Sequence, residues 1–208
     1  MESKQQRFIQ YAAEFAKANA VHIWLGGSFQ KGNATPYSDV DISVLGDVRA
    51  VRRLIYGYGK PVFLSHTTNP PGILIVIYED GVAVDLEIVK TIRFPETEFF
   101  HTEEIKSIEY KRDESAFREL VLRDDEPYQV SRLFHRSLSK YLSGKRDIGI
   151  SVANEIAAFL SEEGVQSPMY YKSRIKEMLD AFSTQYTISN EYETILRSMI
   201  GRKSERGV

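Results

Sequence analysis

The stretch GGSFQKGNATPYSDVDISVL, residues 26–45, joins a glycine-rich turn to a segment with the alternating pattern of a β-strand. In its second half, apolar residues alternate with Asp39, Asp41 and Ser43. Because successive side chains of a strand point to opposite faces, the apolar residues can enter a core while both aspartates project from the other face. The pattern therefore predicts a buried strand that presents two carboxylates side by side to a cleft.

The turn before this strand has the composition of a phosphate-binding loop. VHIWL, residues 21–25, predicts a short buried strand that ends at Gly26 and Gly27. Glycine allows the backbone to approach a phosphate closely, and backbone N–H groups together with the Ser28 hydroxyl can donate hydrogen bonds to its oxygens. A short helix starting there would add the positive end of its dipole. We therefore expect an anion to bind at this turn.

A further acidic position follows in the clearest hairpin of the sequence. Residues 73–78 and 82–89 are two strand-like runs separated by a short turn that ends at Gly81. In the second run, Asp85 and Glu87 share the polar face. Magnesium prefers oxygen ligands, and two aspartates two positions apart can share one ion, or bridge two, with a carboxylate from an adjacent strand. Two such ions can clamp the attacking and departing oxygens of a phosphoryl or nucleotidyl transfer.

The remaining periodicities divide the chain into a mixed front half and a helical back half. They predict a helix over 4–19, a helix capped by Asp47, a strand over 61–66 and a helical stretch near 113–122. Four more helices are predicted around residues 130–141, 152–160, 169–182 and 192–200. We therefore predict an α+β fold, with a catalytic domain over residues 1–110, a mixed sheet flanked by helices, and a C-terminal helical bundle domain over residues 111–208.

Composition excludes several classes of function. The 208 residues carry a formal net charge of −2, so the chain has no global basic field for wrapping nucleic acid. It contains no cysteine, which excludes disulfides, thiolate zinc sites and cysteine nucleophiles. The N-terminal sequence lacks the apolar run of a signal peptide, and no segment is apolar over the length of a membrane span. We therefore expect a cytoplasmic protein without a membrane partner.

The combined pattern resembles the nucleotidyltransferases of the DNA polymerase β superfamily. In the minimal and antibiotic-modifying branches, the motif often runs G-S-x-x-x-G, five further residues, and then S-D-x-D. Here it stands as Gly27-Ser28-Phe29-Gln30-Lys31-Gly32, then NATPY, then Ser38-Asp39-Val40-Asp41. The spacing agrees at every fixed position. The family commonly carries arginine where Lys31 stands, so a basic residue is kept but a bidentate phosphate contact is not.

The resemblance implies roles for individual residues. The residues implied in nucleotide binding are Gly27, Ser28, Lys31 and Ser38. The implied catalytic carboxylates and metal ligands are Asp39, Asp41 and Asp85, the last between two apolar residues on a later strand. Glu87 competes with Asp85 for the ligand position, and we favour Asp85 because its shorter side chain resembles the usual ligand. Glu87 is then either the catalytic general base for an acceptor hydroxyl or a solvated strand residue.

The activity implied by the resemblance is magnesium-dependent transfer of a nucleoside monophosphate, AMP from ATP, to a hydroxyl group, with release of pyrophosphate. Two Mg²⁺ ions are expected once the NTP is bound. The expected acceptor is a small molecule such as an aminoglycoside or lincosamide antibiotic; a nucleic acid partner is not expected, and a homodimer stays open.

Three alternatives belong to other classes. Nucleotidylation of a protein or tRNA, as in antitoxin-like minimal nucleotidyltransferases, favours a basic track that this near-neutral chain does not suggest. An inactive NTP-binding module favours a broken carboxylate set, whereas this set is intact in the sequence. A templated polymerase is disfavoured because the chain is short and has no recognisable duplex-binding element.

Overall fold

The computed structural model describes residues 3–91 and 111–202 of the chain. The chain divides into two compact units, Met1–Leu122 and Arg123–Val208. The predicted domain boundary, between residues 110 and 111, borders residues outside the described part. The division between the compact units falls later, because residues 111–112 form a strand of the first unit's sheet.

The first unit is built on a mixed sheet of six strands. The strands are β1 (His22–Leu25), β2 (Val40–Leu45), β3 (Pro61–Thr68), β4 (Pro71–Tyr78), β5 (Ala83–Thr91) and β6 (Lys111–Arg112). Their order is β1-β2-β5-β4-β3, and β6 pairs with β5. Strands β2 and β5 run parallel, whereas all other pairs are antiparallel. With its flanking helices, this sheet confirms the predicted α+β fold and the predicted strands.

Three helices accompany the sheet: α1 (Lys4–Asn19), α2 (Gly27–Gln30) and α3 (Val48–Tyr58). Phe8 of α1 and Leu54 of α3 are buried in one apolar cluster with Val40, Ile42 and Leu86 of the two parallel strands. Each fully buried apolar side chain of this size contributes roughly 1.5–3 kcal/mol to folding. The two longer helices therefore hold one face of the sheet, and the alternate residues of β2 and β5 belong to the opposite face.

Both longer helices begin where the sequence provides a cap. The Ser3 hydroxyl accepts a hydrogen bond from the Gln6 amide, and the Gln6 side chain accepts one from the Ser3 amide, which forms a capping box. The Asp47 carboxylate accepts a hydrogen bond of 2.7 Å from the Ala50 amide. This hydrogen bond lowers the pKa of Asp47 below its usual value. Both caps place the helices at the positions predicted from the sequence.

The predicted helix near 113–122 is wrong except for one 3₁₀ turn, Ala116–Glu119. The Asp113 amide donates to the Ile88 carbonyl oxygen at 2.7 Å, so the chain follows the edge of β5 at the start of the predicted helix. Backbone pairing with the sheet therefore overrides the local helical pattern at this position.

The second unit is helical. Its helices are α4 (Glu126–Leu142), α5 (Arg146–Leu160), α6 (Tyr171–Gln185) and α7 (Asn190–Gly201). Phe134 and Phe182 meet edge to face in its core, with ring centroids 5.5 Å apart, and Ile156 and Leu196 are fully buried there. These elements confirm the four predicted C-terminal helices. Across the described ranges, every helix falls short of the length and apolar character that crossing a bilayer requires.

Candidate active site

Asp41 and Asp85 lie directly opposite each other on the two parallel strands, β2 and β5. Both belong to the sheet face opposite α1 and α3, because their neighbours Val40, Ile42 and Leu86 are buried in the core. Both side chains are partly buried. Alternation places both carboxylates on this face, and the parallel pairing of β2 with β5 brings them together from segments more than forty residues apart in the chain.

Gly27 lies against the Asp41 carboxylate. Its φ angle is +60°, in the left-handed region that disfavours side chains. A β-carbon at this position would stand 1.7 Å from Oδ2 and 2.5 Å from Cγ of Asp41. The neighbouring Gly26 amide donates to the Asp41 carbonyl oxygen at 2.8 Å, which ties the turn to β2. Glycine is therefore required at residue 27 by both backbone conformation and space.

The turn continues from Gly27 through α2, a single helical turn. The Ser28 carbonyl oxygen accepts from the Asn33 amide at 3.1 Å, and Gly32 adopts a φ of +68° where the chain leaves the helix. Lys31 is exposed to solvent, and Ser28 is partly buried. The sequence motif thus forms one compact loop whose first glycine contacts Asp41.

Ser38 closes the turn that leads into β2. Its hydroxyl accepts from the Thr35 amide at 2.9 Å, and its own amide donates to the Thr35 carbonyl oxygen at 3.0 Å. Asp39 follows immediately, one residue before the strand begins at Val40, and is partly buried. The structure therefore places Asp39 at the entrance of β2, and Asp41 within the strand.

Glu87 occupies the next position of the same face, opposite Ser43. The Ser43 hydroxyl donates to Glu87 Oε2 at 3.2 Å, and Arg112 Nη2 donates to Glu87 Oε1 in a salt bridge. Only about a fifth of either charged side chain is exposed, 19% for Arg112 and 21% for Glu87. The two acidic residues of β5 therefore have different surroundings: Asp85 faces Asp41, whereas Glu87 is held by a hydroxyl and a guanidinium group.

Residues 6–113 match the model of a family described as the nucleotidyltransferase domain. The chain belongs to this family. The matched region contains the glycine turn, both parallel strands and β6. The resemblance to the polymerase β superfamily is thereby confirmed, and the assignment to the minimal or antibiotic-modifying branch stays a prediction.

No curated protein sequence matches this nucleotidyltransferase domain protein. Among solved structures, it is similar to the Thermotoga maritima CCA-adding enzyme complexed with tRNA, at 12% sequence identity and a TM-score of 0.32. The alignment covers 95% of this chain and 50% of that chain, so the protein spans half the length of that enzyme. At this level of similarity, the match carries no inference about substrate.

The donor chemistry of the candidate site suits a hard divalent cation. Asp39, Asp41 and Asp85 offer carboxylate oxygens, the ligands that magnesium prefers. Within residues 3–91 and 111–202, however, no three His, Cys, Asp or Glu side chains lie close enough to form a preformed metal cluster. Sheet register brings Asp41 and Asp85 together, whereas Asp39 stands before the strand. The expected close convergence of all three is therefore not present in the described structure.

Sequence reasoning missed Arg112, which forms the salt bridge with Glu87 on the face of the candidate site. It lies on a strand of two residues, after a stretch of the chain that gave no clear periodicity. A strand this short carries no alternation pattern, and its pairing with β5 could not be deduced from sequence. The only available signal was the Lys111-Arg112 pair just after the end of the predicted catalytic domain.

Proposed function

We propose that the protein transfers a nucleoside monophosphate, AMP from ATP, to a hydroxyl group of a small-molecule acceptor and releases pyrophosphate. Membership of the nucleotidyltransferase family supports nucleotidyl transfer in general. The observation that carries the proposal is the register pairing of Asp41 with Asp85, with the Gly27 backbone against the Asp41 carboxylate. An intact pair of carboxylates on one face favours an active enzyme over an inactive NTP-binding module.

In the proposed reaction, the acceptor oxygen forms a bond to the α-phosphorus of ATP. The bond between that phosphorus and the oxygen bridging to the β-phosphate breaks, and pyrophosphate leaves. We assign the hydroxyl proton to Asp85, because both oxygens of Glu87 already accept hydrogen bonds. Asp85 also lies directly opposite Asp41. The proposed proton acceptor, Asp85, is therefore next to Asp41, the carboxylate that would help to hold the nucleotide.

The glycine turn and its neighbours would bind the triphosphate. Because Gly27 has no side chain, the backbone of this turn lies close to the Asp41 carboxylate, so a phosphate held by the backbone amides of the turn would lie beside that carboxylate. Ser28 and the exposed Lys31 are proposed as further phosphate contacts. Ser38 accepts from Thr35, which still allows its hydroxyl hydrogen to point to a phosphate oxygen.

Asp39, Asp41 and Asp85 are the residues that would hold magnesium, with two ions expected once the NTP is bound. When bound, the metal offsets negative charge on the phosphates and activates the acceptor oxygen. The three carboxylates would need to move closer together around the ion, since they do not form a preformed cluster in the described residues. Asp39 lies one residue outside β2, so its side chain can move without a change in strand register.

The acceptor can be identified by incubating the full-length protein with magnesium, ATP labelled at the α-phosphate and a panel of acceptors. The panel contains aminoglycosides, a lincosamide, mixed tRNA and a bacterial protein extract. We expect label on a small-molecule antibiotic, and its loss in Asp41→Asn. Label confined to tRNA or protein would replace the proposed acceptor by that class, and no label on any acceptor would contradict the proposed function.

A further inference from the structure

Ser43, Glu87 and Arg112 form a polar chain across three strands, one position along the face from the Asp41–Asp85 pair. Ser43 donates to one oxygen of Glu87, and Arg112 donates to the other. Arg112 Nη1 also lies 3.4 Å from the Pro71 carbonyl oxygen at the start of β4. The chain therefore links β2, β5, β6 and the edge of β4 beside the two aspartates.

The backbone of Arg112 and of the residue after it is fixed to β5. It lies opposite Val89 in the β5–β6 pairing, and the following residue, Asp113, donates its amide to the Ile88 carbonyl oxygen at 2.7 Å. The Asp113 carboxylate also forms a salt bridge of 3.2 Å with Lys90 of β5. Because the backbone before and after Arg112 is fixed to β5, the guanidinium group meets Glu87 at a defined position.

The location of this salt bridge matters because the face already carries two opposed carboxylates. Residues two apart on a strand project to the same face, so Glu87 would add a further negative charge beside Asp85. A triphosphate binds more tightly to a site with fewer uncompensated negative charges. Salt screens a partly buried ion pair only weakly, so the compensation by Arg112 persists in solution. Arg112 compensates the charge of Glu87, the carboxylate that lies next to the Asp41–Asp85 pair on this face.

We propose that Arg112 is a positioning residue that acts through Glu87. It holds the Glu87 carboxylate toward Ser43 and β6, away from Asp41 and Asp85, and cancels its charge. Nucleotidyl transfer then depends on the aspartates, and Glu87 is neither a metal ligand nor the general base. This inference rests on the proposed function, because it assigns a role within the same site.

The test compares the wild-type protein with Glu87→Gln, Arg112→Gln and the double variant. Arg112→Gln leaves Glu87 charged and uncompensated, so kcat/KM should fall by about 10–100-fold. Glu87→Gln removes the charge that Arg112 compensates, and should cost less than about tenfold. The kcat/KM of the double variant should be closer to that of Glu87→Gln than to that of Arg112→Gln. Arg112→Lys should keep part of the kcat/KM that Arg112→Gln loses, because lysine supplies a cation but lacks the planar guanidinium group.

Two further measurements separate a positioning role from a structural or catalytic one. The pH profile of kcat should keep the same limbs in Glu87→Gln as in the wild type, because the proposed proton acceptor is Asp85. A loss of transfer of about a thousandfold in Glu87→Gln, without recovery in the double variant, would overturn the proposal and make Glu87 catalytic. Thermal unfolding without ligand checks that each variant is folded, and equal losses in both single variants and the double would also overturn it.

Failure of this inference can be distinguished from failure of the proposed function. Magnesium-dependent ATP affinity, measured by calorimetry, should show the same order: weakened in Arg112→Gln and recovered in the double variant. If the wild type binds magnesium and ATP but transfers no nucleotide, the proposed reaction fails while the affinity order still tests Arg112. If the wild type transfers nucleotide and neither rate nor affinity follows this order, the inference alone fails.

Discussion

A β-carbon added at Gly27 would stand 1.7 Å from Oδ2 of Asp41. Gly27 is the first residue of α2, two residues after β1 ends at Leu25, and Asp41 lies within β2. The close approach of the two residues therefore joins the glycine turn to the strand that carries the carboxylate. The Gly26 amide reinforces the junction by donating to the Asp41 carbonyl oxygen at 2.8 Å. The turn and the aspartates therefore form a single structural unit, in which the position of the carboxylate depends on the absence of a side chain at residue 27.

We expect Gly27→Ala to displace the Asp41 carboxylate and to impair catalysis severely. Misplacement of a reacting group by about 1 Å can cost on the order of a hundredfold in rate, and we expect at least that loss in kcat for transfer. The left-handed backbone adds a strain of roughly 1–2 kcal/mol. Steady-state kinetics and thermal unfolding of the variant measure the two effects separately.

Gly32→Ala is the matched control for this variant. Gly32 has a similar φ of +68°, but a β-carbon there would meet no atom within 4 Å. It should therefore lose a similar amount of stability, roughly 1–2 kcal/mol, and keep most of the transfer activity. If both variants lose activity equally, backbone strain and not contact with Asp41 accounts for the effect.

Asp85→Asn should separate stability from activity. Like charges directly opposite each other in a sheet are destabilising, and cross-strand pairs are worth about 0.2–1 kcal/mol, so removing one charge should stabilise the metal-free protein by about this amount. Transfer should fall by more than about a hundredfold, because even residues that only support metal ligands cost about 10–100-fold when changed. Unfolding in a chelator, followed by Trp24 fluorescence, measures the first effect; Trp24 is the single tryptophan of the chain and is buried in the first unit.

Glu79→Gln provides the control for the change in charge. Glu79 is an exposed acid in the turn between β4 and β5, so its substitution alters net charge equally without touching the aspartate pair. We expect neither stabilisation in the chelator nor loss of transfer. Equal stabilisation by both substitutions would mean that net charge, and not the Asp41–Asp85 pairing, is responsible.

The cap of α3 should make the stability of the first unit sensitive to acid. The hydrogen bond from Ala50 lowers the pKa of Asp47 below its usual value of 3.8. A carboxyl group whose pKa is lowered on folding contributes stability above the usual pKa, and this contribution is lost as the pH falls through the folded-state pKa. Asp47→Asn keeps a capping oxygen without a titrating charge. The melting temperature of the wild type relative to Asp47→Asn should therefore decline below about pH 4, and a constant difference down to pH 2 would contradict this reading.

Ile42→Ala should damage the fold more than the chemistry. Ile42 is 2% exposed and points away from its neighbour Asp41 into the core beneath α1 and α3. Loss of a buried isoleucine side chain costs about 2–5 kcal/mol. At a temperature where the variant is folded, we expect kcat to stay within about tenfold of the wild type, because alternation separates the core face from the site face. Loss of transfer as large as that of Asp85→Asn, with the variant folded, would argue against this separation.

The sequence was sufficient to predict which face of each strand would carry the carboxylates, because alternation is a local property of β2 and β5. It was not sufficient to predict the register between them. Asp85 and Glu87 share a face in the sequence, and only the parallel pairing with β2 places Asp85 opposite Asp41 and Glu87 opposite Ser43. Register depends on how strands distant in the chain align, which no local pattern encodes.

Two other features depended on tertiary structure in the same way. The sequence motif correctly located a glycine-rich turn and predicted that its backbone could lie close to a phosphate. It did not predict that Gly27 also lies close to the Asp41 carboxylate. The salt bridge between Arg112 and Glu87 arises because a strand of two residues returns to the edge of β5. The local pattern near residues 113–122 suggested a helix instead, because a single pairing with the sheet leaves no periodic trace.

The position of a label in ATP shows whether the Asp41–Asp85 face carries out nucleotidyl transfer. The full-length protein, the Asp41→Asn variant and the Glu79→Gln control are each given magnesium, the mixed acceptor panel and ATP labelled at either the α- or the γ-phosphate. We expect α-label on the acceptor and γ-label in pyrophosphate for the wild type and the control, and neither product for Asp41→Asn. Label from the γ-phosphate on the acceptor, or α-label transferred equally well by Asp41→Asn, would contradict this expectation.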